Sequence, residues 1–177
     1  MTFSDGHSRL TVGNLALDFS NNFIIPNIKS ILDKENIEHD KKIYEEIYSR
    51  DFTVNTLLMP VDMSTIIDIT RKGIKDIHNK ILDTCLDPAI TLGNDPKRII
   101  RVIYLCTKLN FKPSNRVVEW IKDNGQVVSK VNSKYIKARI NNAILSNKDY
   151  AIQLLSVMDL IKYIPETKAL RNSISGV

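Results

Sequence analysis

The 177 residues carry 25 Lys and Arg against 20 Asp and Glu, a net charge of +5, and 43% of them are hydrophobic. A chain of this composition can bury a core without disulfide or metal staples; Cys85 and Cys106 read as buried small hydrophobes, and His7, His39 and His78 fall at no metal-ligand spacing. Residues 1–10 lack the apolar segment of a signal peptide, and no apolar run reaches the ~18 residues of a membrane span, so a cytoplasmic protein, or a viral or organellar equivalent, is expected.

Residues 4–6 read as a turn. Leu10 to Ser20 alternates weakly, with Leu15, Leu17 and Phe19 on one face and Asp18 on the other, and predicts a strand. Pro26 starts a helix to about Asn36 in which Ile28, Ile31 and Leu32 share a stripe. Asp40 can cap a second helix that turns Ile43, Tyr44 and Ile47 inward. Asp51 to Met59 fits a short helix or a strand, and Pro60 ends it. Thr65 to Ile69 is a short buried-strand candidate, and Gly73 opens a helix to about Leu82.

From Asp95 the pattern is helical throughout. Asn94 or Asp95 caps a helix with Pro96 in its first turn, and apolar positions from Ile99 to Cys106 nearly surround it, which predicts a central helix. Ser114 caps the next, Asn132 or Ser133 another through Leu145, and Asp149 to Leu155 begins a further one. Pro165 closes the helical part, and residues 171–177 read as a frayed tail. The expected fold is α+β, with residues 1–90 mixed and residues 91–177 helical. Charge follows the same division: 10 basic and 14 acidic residues up to 90, then 15 and 6. Such asymmetry marks the second half for a polyanion, or else a set of solvated helix faces.

Three clusters carry chemistry. The first is Ser49-Arg50-Asp51-Phe52-Thr53-Val54-Asn55, where Arg50 and Asp51 suit phosphate and ribose contacts. The second runs from Asp68 through Gly73 to Asp76 and Ile77. The third, Asn94-Asp95-Pro96-Lys97-Arg98-Ile99-Ile100-Arg101, sets Arg98 and Arg101 three apart on one helix face. A carboxylate acceptor beside a guanidinium donor can read a base edge. Taken singly, each cluster is also compatible with a capping Asp and a surface ion pair worth about 0–1 kcal/mol.

In this order the clusters resemble the signature of class II CCA-adding enzymes and bacterial poly(A) polymerases: Arg-Arg-Asp-Phe-Thr-x-Asn, then Asp-x-Thr-x-x-Gly-x-x-Asp-Leu, then Glu-Asp-Pro-x-Arg-x-x-Arg opening a long helix. Ser49, Ile77 and Asn94 depart from it. Residues 133–144 and 160–166 also look like that family's helical neck. The resemblance implies a partial nucleotidyltransferase head in residues 1–90 and a nucleotide-selecting, RNA-binding neck and body in 91–177. Arg50, Asp51 and Asn55 would contact the triphosphate and ribose of ATP or CTP. Asp95 and Arg98 would hydrogen-bond the base edge, Arg101 would assist, and Asp68, Gly73 and Asp76 would form a hinge element. Lys130, Lys134, Lys137 and Arg139 are the candidate contacts to a tRNA-like RNA 3′ end.

At the front the resemblance fails. The family's Gly-Gly-x-Val-Arg-Asp turn and Asp-x-Asp pair, which binds two magnesium ions, have no counterpart before Asp18. Two-metal chemistry needs those carboxylates, and Asp18 is a weak catalytic candidate or a solvent-facing strand residue. The expectation is a truncated fragment, one half of a split enzyme completed by a second polypeptide, or a relative without catalysis. The isolated chain is expected to be inactive.

Overall fold

The computed structural model describes residues 8–19 and 24–164; the expected turn at residues 4–6, the stop at Pro165 and the tail at 171–177 lie outside them. It has two compact units, residues 1–49 and residues 50–177.

In the first unit the strand expected over residues 10–20 is instead an antiparallel hairpin, β1 (Ser8–Val12) with β2 (Leu15–Phe19), in register Leu10 to Leu17 and Val12 to Leu15. The cause is Gly13, whose φ of 58° admits the reversal that a side chain resists. Helix α1 (Ile28–Lys34) buries Ile28 and Leu32, as its stripe predicts, and packs on α2 (Lys42–Tyr48). Asp40 does not cap α2: Lys41 holds the N-cap position and no side chain caps there. The Ile25 amide donates instead to the Ser49 hydroxyl at 3.0 Å, tying the two ends of this helical pair.

The second unit begins with a 3₁₀ turn at Thr53–Asn55, and then Leu58 and Ile67 form one antiparallel rung. Thr65 to Ile69 is not a buried strand: Ile66 and Ile67 are exposed. Met63 at φ 54° and the Ser64 amide donating to Asp62 bend the chain, so the pairing stops after a single rung. Helix α3 (Gly73–Asn79) ends earlier than expected, because Lys80 turns left-handed and Ile81–Leu82 leaves as strand β3. A helix the sequence reading missed, α4 (Pro88–Asn94), follows an Asp87 cap and carries Pro88 in its first turn.

Helix α5 (Lys97–Leu109) is the central one. Ile99, Ile100, Val102, Ile103 and Cys106 are each fully buried, against α7 (Ser133–Ser146), α8 (Lys148–Val157) and the Phe52 and Leu82 side chains. Each such aliphatic side chain contributes about 1.5–3 kcal/mol by burial. Asn110, at φ 55°, ends α5, and β4 (Lys112–Pro113) then pairs parallel to β3. Ser114 precedes α6 (Asn115–Asn124) without capping it, because its hydroxyl donates to Asp83 at 2.6 Å. Asn132 caps α7 through the Lys134 and Tyr135 amides, as expected, and Asn147 caps α8, which begins at Lys148 just before the expected Asp149.

Candidate functional site

The first and third clusters meet on Asp51. Its carboxylate is almost fully buried and accepts from the Phe52 amide at 2.9 Å, from Asn55 Nδ2 at 2.9 Å and from Arg101 Nε at 2.6 Å. Arg50 Nη1 donates to the Asn55 carbonyl at 2.7 Å, closing the 3₁₀ turn from its other side. Residues 50 apart in sequence are thus joined by one charge-assisted bond, the strong kind in a sheltered place. Arg101 spends only Nε on Asp51 among the described residues and is one-third exposed, which leaves its terminal nitrogens with donors to spare.

Arg98 behaves differently from a surface arginine. It is 6% exposed, and Nη1 donates to the Thr91 carbonyl at 3.2 Å. Burial lowers its pKa, against which the Asp51 and Asp95 carboxylates hold the charge. Asp95 and Arg98 approach only to 3.9 Å, while Asp95 Oδ1 accepts from the Lys97 amide at 3.1 Å and so starts α5. The capping expectation and the proximity of the pair both have a counterpart here; a direct Asp95–Arg98 hydrogen bond does not. Asn94, in place of the family's acid, turns back to the Ile90 carbonyl at 2.7 Å.

The second cluster fastens onto the first. Thr53 Oγ1 donates to Asp76 Oδ2 at 2.6 Å. Gly73 lies so close that a Cβ there would stand 2.7 Å from the Thr53 carbonyl oxygen. Asp68 accepts from the Ile74 amide at 2.9 Å and the Thr70 hydroxyl at 2.8 Å. Burial alone would push the Asp68 carboxyl up, but these donors together hold it below the usual carboxylate range. Sequence reading missed a further support: Arg116 grips Asp83 with Nε and Nη2 at 2.9 Å and adds bonds to the Thr84 and Leu86 carbonyls. The Asp83 carbonyl in turn accepts from the Thr53 amide at 2.9 Å. No local pattern connects residues 33 apart, so only the fold reveals this brace; the Asp87-Pro88 helix start, by contrast, was a readable signal for the Thr91 carbonyl beneath Arg98.

Asp18 lies on β2 opposite Arg9 in register, and its side chain is outside the described residues. Lys130, Lys134 and Lys137 are exposed around the start of α7. Arg139 is half-buried, with its guanidinium over the Tyr104 and Tyr135 rings.

Known proteins resemble this chain in sequence and in fold. Residues 12–83 match the family model described as the poly A polymerase head domain. A tRNA nucleotidyltransferase of Schizosaccharomyces pombe is 36% identical over 111 residues, which are 60% of this chain and 23% of that protein, so the chain spans about a quarter of that relative's length. A solved structure of the Bacillus stearothermophilus CCA-adding enzyme in complex with CTP superposes with a TM-score of 0.73 at 19% identity, over 89% of this chain and 37% of the other. A tRNA nucleotidyltransferase complexed with a primer tRNA and an incoming ATP analog gives 0.69 at 24% identity, over 93% and 46%. These two structural likenesses concern the fold: a part of a nucleotidyltransferase head followed by a helical region.

Proposed function

The chain belongs to the class II CCA-adding enzyme and bacterial poly(A) polymerase family, and on that premise we propose that it takes part in adding nucleotides to an RNA 3′ end. Residues 1–90 provide the rear of the head, and residues 91–177 provide the neck and body that select the nucleotide and hold RNA. The observation that carries this reading is the meeting of Arg50, Asp51 and Asn55 with Arg101 at the front of α5, above a buried Arg98. Arg50 and Arg101 supply donors for the triphosphate of ATP or CTP, and Asn55 for the ribose. Asp95 and Arg98 read the base, so that protein rather than a template selects it. The acceptor is a tRNA-like 3′ end lying on the basic half.

Magnesium would neutralise the charge developing on the transferred nucleotidyl group. Among the described residues no three His, Cys, Asp or Glu side chains gather where they could hold a metal ion, and Asp51, Asp68, Asp76 and Asp95 each accept from protein donors. In this reading the main magnesium ligands come from other residues, in a further head segment or a second polypeptide. The same commitment of carboxylates favours a second reading, a binding module for RNA or nucleotide that performs no chemistry.

The test is extension of a tRNA lacking its 3′ end, with labelled ATP or CTP and magnesium. It is run with the 177-residue chain alone and with a polypeptide carrying the Gly-Gly-x-Val-Arg-Asp and Asp-x-Asp elements. Extension only in the mixture supports the enzyme reading. Nucleotide binding without extension in either favours the binding module, and extension by the chain alone overturns the assignment of the metal ligands elsewhere. Among the described residues no helix is long and apolar enough to cross a membrane; a cytoplasmic setting remains part of the proposal.

A further inference from the structure

Helices α5 and α7 pack together and present Tyr104 with Lys108, and Tyr135 with Arg139, each pair one turn apart. The guanidinium carbon of Arg139 lies 5.2 Å from the Tyr104 ring centre and 5.5 Å from that of Tyr135. Lys108 Nζ stands 5.6 Å from the Tyr104 ring. Two aromatic faces hold the Arg139 side chain in place, but rings accept none of its five N–H donors. Among the described residues Arg139 makes no hydrogen bond and no ion pair with a carboxylate.

A half-buried guanidinium that is positioned yet unpaired is arranged for an anion from outside. Its planar fork matches the two oxygens of a phosphate, which a lysine cannot reproduce. Tyr104 follows Arg101 by three residues and Lys108 follows by seven, roughly 4.5 and 10 Å along the helix axis. Along α5, Tyr104 with the Arg139 guanidinium against its ring, and Lys108, thus follow Arg101 within roughly 10 Å of axis. We propose that Arg139, held by Tyr104 and Tyr135 and assisted by Lys108, is a phosphate clamp for a single RNA strand whose 3′ end reaches that cluster. The clamp rests on the RNA-acceptor reading above and gives it a location distinct from the exposed lysines at the start of α7.

Fluorescence anisotropy with an end-labelled single-stranded RNA, across about 50–200 mM salt, tests this on the full chain. Arg139→Met, which keeps the packing, should weaken binding about tenfold and reduce the log–log salt slope by about one contact, ~0.7. Arg139→Lys should restore the slope without restoring the full affinity. Lys108→Ala, at an exposed position whose loss leaves the core intact, should lower the slope by a similar step. ATP affinity, measured in parallel, reports on the nucleotide site. An unchanged slope in both Arg139→Met and Lys108→Ala overturns the clamp and leaves nucleotide addition standing. A lowered slope in a chain that binds neither ATP nor CTP supports the clamp and sinks nucleotide addition. Failure of the unaltered chain to bind RNA, or equal binding of an acidic peptide lost on the same substitution, overturns the clamp as an RNA site. Should Arg139→Met fail to fold, Arg139→Lys and Lys108→Ala decide the matter.

Discussion

Replacing Gly73 by Ala separates a structural demand for glycine from mere tolerance of it. Three atoms set the magnitude. A Cβ at residue 73 would stand 2.7 Å from the Thr53 carbonyl oxygen, 3.0 Å from Leu57 Cδ2 and 3.4 Å from Asp68 Oδ1. The first of these is backbone within the Arg50–Asn55 turn, so relief requires the two clusters to part. Overpacking of that kind costs about 1–3 kcal/mol. Against it, Ala removes freedom from the unfolded chain, a gain of about 0.4–1 kcal/mol. The net loss is roughly 1–2 kcal/mol, or a Tm lower by about 2–8 °C for a chain of this size. Gly93→Ala is the matched control: it lies in α4, and its new Cβ meets only Trp120 Cζ2 at 3.8 Å, an ordinary contact. It should be neutral or stabilising by up to ~1 kcal/mol. Thermal unfolding followed by circular dichroism reads both. If Gly73→Ala melts at or above the parent temperature, the close approach of α3 to the Thr53 turn is not a constraint and the hinge assignment loses its physical basis.

Thr91 offers a second test, because its hydroxyl is buried without a hydrogen-bond partner among the described residues; Thr91→Val should hold or raise the urea midpoint, and a loss above about 1 kcal/mol would reveal a partner for that hydroxyl. Burial raises the Cys106 thiol from 9.0 to about 12 and pushes Cys85 up as well. Both should therefore resist iodoacetamide at neutral pH until the chain is unfolded, and rapid alkylation of the native protein would contradict the packing around α5. The Asp68 carboxyl is held below 3.8 in the folded chain, so its contribution is complete above that value and disappears as pH falls through the folded pKa. Asp68→Asn should accordingly lower the urea midpoint at pH 7 and converge with the parent in strong acid; a gap that persists at pH 2 would show that the loss is not one of charge. Arg98→Ala should reduce discrimination among nucleotides by about 1–3 kcal/mol and, because the side chain is buried, also lower the melting temperature. Unchanged relative affinities for ATP, CTP, GTP and UTP would make it a structural residue alone.

Local pattern revealed much of the helical half. The apolar positions of α5 wrap around it, and the helix is central for that reason; Asn132 caps α7 because a short side-chain acceptor there meets two free amides. The resemblance grouped Arg50, Asp51, Asn55 and Arg101 as expected nucleotide contacts, yet the bond from Arg101 to Asp51 joins residues 50 apart and has no local trace. Two strands of two residues each, β3 and β4, are too short to show a period of two, so the mixed character of residues 81–113 was hidden. Gly13-Asn14 and Asp87-Pro88 were readable turn and helix-start signals that weak flanking alternation concealed. The burial of Arg98 could not be read at all, since it depends on α4 lying against α5.

The Asp83–Arg116 brace and the β3–β4 ladder have a kinetic consequence. Each joins segments more than thirty residues apart, across the whole of α4 and α5. Helices form on a microsecond scale from neighbouring residues, whereas distant pairs must wait for the chain between them to be ordered. Closing the ladder thus belongs to the late side of the folding barrier. Truncating Arg116 would leave the refolding rate nearly intact and express its cost as faster unfolding, with the Thr53 turn, and the proposed nucleotide site beside it, among the first parts to open.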